Sequence, residues 1–112
     1  GEPLVMKKIS DRLDFFDKML DLRNNYIENQ KQCIENEIRW LENNIENMDN
    51  LRFYFANSLH MEWAMNLNKD DLQQVAEMRG NNLYALLHEM DRQKTETKPL
   101  KVIVQELKYL GQ

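Results

Sequence analysis

The sequence predicts an all-α fold: a long antiparallel helical hairpin closed by one or two shorter helices, with bundle-like, coiled-coil-type packing. Three observations predict it. From Leu4 to Arg79 there is no Gly and no Pro, so the turn residues that a strand-rich fold needs every 8 to 12 residues or so are missing. Met6, Leu13, Leu20, Ile27, Ile34, Leu41, Met48 and Phe55 recur at intervals of seven. Leu100, Ile103, Val104, Leu107 and Leu110 repeat the three-four spacing of a helix face near the end of the chain.

Helix 1 is expected over about 4–23. Ile9 and Phe16 follow their stripe partners by three residues, and Phe15, Met19 and Leu22 widen the apolar face enough to touch a second neighbour. At Arg23-Asn24-Asn25 the second row thins out, because the next positions in it are Arg23 and Gln30, or Asn24 and Lys31. A straight helix from Met6 to Phe55 would be about 75 Å long, against a radius of gyration near 13 Å for a compact domain of this size. A break at these asparagines, which tolerate turn geometry, is therefore expected. The other solution is a helix that supercoils with a partner. Ile34, Leu41, Met48 and Phe55 would then form a self-association seam in a homodimer, rather than the inner seam of one chain.

Helix 2 is expected over about 26–66, with Ile38, Ile45 and Leu59 four residues after stripe members. Asn68 or Asp70 can accept a backbone N–H at the start of helix 3, over about 70–94. That helix would turn Leu72, Val75, Ala76, Leu83, Leu86, Leu87 and Met90 inward. Gly80-Asn81-Asn82 is a candidate kink, the Gly alone costing about 1 kcal/mol relative to Ala. Thr95–Lys98 reads as a loop, Pro99 as the first turn of helix 4 over about 99–110, and Gly111 as its stop.

The 112 residues are read as one domain, because shorter pieces bury too little surface to fold alone. Gly1 is read as a remnant of a tag, and the sequence as a domain of something longer. With 15 basic and 19 acidic residues the net charge is −4, which gives no attraction for phosphate backbones and argues against direct nucleic-acid binding. No apolar run reaches the roughly 18 residues of a membrane span, and the opening residues lack a signal-peptide core. Cys33 is the single cysteine, so no intramolecular disulfide or cysteine zinc site can form. An intracellular, cytoplasmic setting is expected.

No catalytic, cofactor or metal site is expected. His60 and His88 fall on separate segments, and His88 with Asp91 offers two ligands only. Glu35, Glu42 and Glu46 have the spacing of a solvated helix face. Arg12, Arg23, Arg39 and Arg52, which an arginine-lined pocket for a dicarboxylate would need together, share no common face. The segment 51–65 is different, because apolar residues cover nearly every face of it, and such a helix is surrounded by protein. Phe53, Tyr54, Met61, Trp63 and Met65 are the partner-binding candidates there. The sequence is accordingly read as a non-enzymatic protein–protein interaction module: an adaptor, assembly factor, chaperone or inhibitor. The alternative is a dimerisation or effector-sensing domain of a longer transcriptional regulator.

Overall fold

The computed structural model describes residues 4–111, with side chains from residue 7 onward, so Met6 of the seven-residue stripe lies outside the described side chains. Among the described residues there is no strand. The order is α1 (Leu4–Asn44), α2 (Met48–Phe53), a π-helical turn (Tyr54–Ser58), a 3-10 turn (Glu62–Asn66) and α3 (Lys69–Leu110).

The break expected at Asn24 and Asn25 does not occur, and α1 runs through it. Asn24 takes a half-buried position in the helix instead of leaving it. The chain turns after Asn44, where asparagines supply the bonds a helix end leaves unmade. The Asn44 amide donates to the Trp40 carbonyl at 2.8 Å, and the Asn50 amide donates to Asn44 Oδ1 at 2.7 Å. Asn47 Oδ1 accepts the Asn50 N–H at 3.0 Å and caps α2. The helix expected over 26–66 is thus divided among α1, α2 and the two turns.

The helices expected over 70–94 and 99–110 are one helix, α3, with Pro99 inside it. An interior proline removes one backbone bond, at a cost of about 3 kcal/mol. Thr97 and Val104 on either side of it are buried, so the flanking turns are fixed by packing. Gly80 does not split the helix either, and a Cβ built there meets no atom within 4 Å. The start is as expected, with Asn68 Oδ1 accepting the Asp71 N–H at 2.9 Å.

The chain groups into two compact units, one of Gly1–Lys31 with Glu89–Gln112 and one of Gln32–His88. In the first, α1 packs antiparallel on α3: Glu28 pairs with Lys94, Asp21 with Lys101 at 2.6 Å and Asp14 with Lys108 at 3.0 Å. The buried and half-buried positions of α1 there are Leu13, Asp17, Leu20, Asn24, Ile27 and Lys31, alternating steps of four and three, with Gln30 beside them. Those of α3 include Met90, Lys94, Thr97, Lys101, Val104 and Lys108. One row between the helices is mostly apolar and the other polar. Phe16, expected in the second row, is exposed, and Asp17 takes that place with its carboxylate on Lys101 and Lys108. Of the five apolar residues expected to turn inward after Pro99, Val104 is buried and Leu100, Ile103, Leu107 and Leu110 are exposed.

In the second unit, Ile34, Ile38 and Leu41 of α1 meet a core completed by Leu51, Tyr54, Phe55, Ala64, Leu72, Ala76 and Leu83. Each leucine, isoleucine or phenylalanine among them is worth about 1.5–3 kcal/mol of burial. Here too α1 and α3 are antiparallel, with the Tyr84 hydroxyl donating to Glu42 at 2.8 Å and Arg79 paired with Glu37 at 3.0 Å. Of the residues expected inward on α3, Leu86 is exposed.

Candidate functional site

The second unit carries a cleft of about 440 Å³ lined by Phe55, Leu59, Met61, Trp63, Val75, Met78, Arg79 and Asn82. Its shape follows from two departures from regular helix. After α2 the chain widens into the π-helical turn, closed by the Leu59 N–H donating to the Tyr54 carbonyl at 3.2 Å and the Met61 N–H donating to the Phe55 carbonyl at 2.8 Å. His60 then adopts φ 56°, the left-handed region that His enters more readily than most side chains. That reversal redirects the chain, and the 3-10 turn carries Trp63 to the cleft. Val75, Met78, Arg79 and Asn82 follow the three-four spacing of one α3 face, which forms the other wall.

Behind the cleft lies a polar cluster. The Tyr54 hydroxyl donates to Glu37 Oε1 and accepts from Arg79 Nε at 3.3 Å. Arg79 Nη2 also donates to both Glu37 oxygens, at 3.0 and 3.1 Å. Tyr54 is 8% exposed, and its ring lies against Trp40 at 4.8 Å and Phe55 at 5.0 Å. Burial, and then the bond to Glu37, push its phenol up to about 12. Burial alone would lower the Arg79 guanidinium, but its bonds to Tyr54 and Glu37 outweigh that and leave it raised. The cluster therefore fixes Arg79 at the cleft wall as a permanent cation.

A raised folded-state pKa means that the neutral phenol favours the fold, fully so below about pH 10, where the unfolded tyrosine is also neutral. That contribution is lost as pH rises from about 10 to about 12. Denaturant titrations at pH 8 and pH 11.5 should show the native chain losing about 2 kcal/mol more than Tyr54→Phe across that window. Parallel losses in the two proteins would show that Tyr54 is not the group responsible.

Of the partner-binding candidates, Met61 is half-buried and Trp63 exposed, and both line the cleft. Phe53 and Met65 are exposed away from it. Tyr54 is buried behind it as the hub of the polar cluster. Of the seam candidates, Ile34, Leu41 and Phe55 are buried inside this single chain and Met48 is half-buried. The α3 wall was not singled out from sequence, although Val75, Met78, Arg79 and Asn82 carry a readable signal in their helical spacing. Cys33, the single cysteine, is exposed.

Among the described residues, no group of three or more His, Cys, Asp or Glu stands close enough to hold a metal ion. Nor is any helix of the described residues long and apolar enough to cross a membrane. No protein-family model matches the chain, and no curated protein or solved structure shows significant similarity to it.

Proposed function

We propose that this chain is a non-enzymatic helical interaction module that binds another protein through the cleft of its second unit, working as an adaptor, assembly factor, chaperone or inhibitor. The observation that carries the reading is the cleft itself, which is of ligand-site size. Its lining is six apolar side chains with Arg79 and Asn82 as the polar members. That chemistry suits the apolar face of a partner helix, with Met61 and Met78 adapting to its side chains and Arg79 reaching an acceptor on it. An intracellular setting fits a reading in which the lone thiol Cys33 stays reduced.

A photo-crosslinking residue at Trp63, in cells, tests the proposal. One discrete adduct is expected, falling at least fivefold when Met78→Glu puts a charge on the opposite wall. Met78 is exposed, so circular dichroism of that variant should be unchanged. An adduct that survives Met78→Glu, or no discrete adduct at all, would sink the reading.

The alternative, a dimerisation or effector-sensing domain of a longer regulator, is favoured by a separate observation. The first unit leaves an apolar face uncovered.

A further inference from the structure

In the first unit each helix carries opposite chemistry on its two flanks. On α1 the residues that follow Leu13, Leu20 and Ile27 are Asp14, Asp21 and Glu28, all paired with α3 lysines. The residues that precede the same three are Arg12, Met19 and Tyr26, and beside them stand Phe16, Leu22 and Arg23. On α3 the residues that follow Met90, Thr97 and Val104 are Asp91, Lys98 and Gln105. Asp91 pairs with Lys31 at 2.6 Å and Gln105 donates to Asp17 at 3.4 Å. The residues that precede them are Glu89, Glu96 and Ile103, flanked by Leu100 and Leu107.

Because the ion pairs bring the two following flanks together along one edge, the two preceding flanks share the opposite edge. They form one apolar face there, of Phe16, Met19 and Tyr26 from α1 with Leu100, Ile103 and Leu107 from α3, each between 40% and 61% exposed. At the size of these side chains the face presents on the order of 600 Å², approaching the roughly 800 Å² that one partner buries in an interface of standard size.

We infer that a second copy of this chain covers this face, the two first units forming a four-helix bundle in which α1 of each copy lies antiparallel on α3 of the other. Charge selects this occupant and this arrangement. The charges within the α1 rows of the face, Arg12 and Arg23, are both positive, and those within the α3 rows, Glu89 and Glu96 with Arg92 bonded between them, carry one net negative charge. Stacking α1 on α1 would oppose arginine to arginine, with no carboxylate in those rows to offset it. A two-fold axis along the helices instead sets α1 on the partner's α3, and every helix then has antiparallel neighbours. The register follows from the pairs within one copy. With Asp21 level with Lys101 and Glu28 level with Lys94, Arg23 is level with the α3 turn that holds Glu96. Across the two-fold axis Arg23 therefore meets Glu96 of the other copy. Glu96 bonds Arg92 of its own helix, and its side chain is 54% exposed, so it has room for a second cation.

This inference uses a surface separate from the cleft, and neither depends on the other. Sedimentation equilibrium of the full chain from about 1 to 100 µM tests it, with twice the 13.5 kDa chain mass expected at the upper end. Met19→Glu, on an exposed position, should raise the dimer dissociation constant at least tenfold with helicity kept. Arg23→Glu and Glu96→Arg should each weaken the dimer, and the double exchange should restore it to within about threefold of the native value. The exchange also decides the matter if Met19→Glu fails to fold. A chain that stays monomeric at 100 µM overturns the inference. So does a dimer indifferent to both single charge changes, or a monomer that instead binds phosphatidylcholine–phosphatidylglycerol vesicles.

Discussion

Phe55→Ala should cost about 3–5 kcal/mol of unfolding free energy, while Phe53→Ala, two residues away, should change it by no more than about 0.5 kcal/mol. The difference lies in where the chain puts the two rings. Phe55 is 0% exposed and packs edge-on against Tyr54 at 5.0 Å, whereas Phe53 is 66% exposed. Truncating Phe55 loses both the transfer energy of the ring and the contacts of the cavity left behind. That cavity opens into the cleft, because Phe55 lines it. Set against the 5–15 kcal/mol typical of a domain, the loss is a large share of the whole. Guanidinium denaturation followed by circular dichroism measures both variants. Equal effects from the two rings would mean that the π-helical turn does not direct Phe55 inward.

How far the sequence could be read depended on whether position and residue type agreed. The row Leu20, Ile27, Ile34 and Leu41 is apolar in sequence and buried in the structure, and it made helix and pairing legible together. The second inward row was hidden because in the first unit it is polar. Asp17, Asn24 and Lys31 look like surface residues, and two of them sit between the helices by pairing with charges from α3, a segment far off in sequence. For the same reason the sequence favours Phe16 inward and a turn at Asn24 and Asn25, neither of which occurs. The real turn depends on bonds among Asn44, Asn47 and Asn50 that no single residue announces. Pro99 misled in the opposite direction, since packing of Thr97 and Val104 overrides a strong local signal.

The candidate site was half legible. The density of aromatic and methionine residues over 51–65 pointed to a surface, and Met61 and Trp63 do line the cleft. Which residues of that segment face outward depends on the π-helical turn and the reversal at His60, and neither has a periodic signature. The sequence therefore groups Tyr54 with the contacts, whereas in the structure it is buried behind them.

Leu41→Asp should unfold the second unit by about 4 kcal/mol or more, combining the loss of a buried leucine with the burial of a carboxylate. Leu41 is 4% exposed, and it lines a groove together with Ile38, Glu42, Ile45, Ala76, Glu77, Gly80 and Tyr84. That lining holds two carboxylates and no cation, so a new aspartate would find repulsion in place of a partner and would resist ionisation. The damage should therefore ease as pH falls through the range where the carboxyl takes up its proton. The same substitution separates two meanings of the seven-residue stripe. Buried inside one chain, Leu41→Asp lowers helicity and stability to the same extent at every protein concentration. Buried between two chains, it would yield folded, fully helical monomers. Thermal denaturation at two concentrations a hundredfold apart distinguishes these outcomes. Concentration-independent unfolding of Leu41→Asp, beside a concentration-dependent response of Met19→Glu, would assign the stripe to the interior of one chain and self-association to the opposite edge of the first unit.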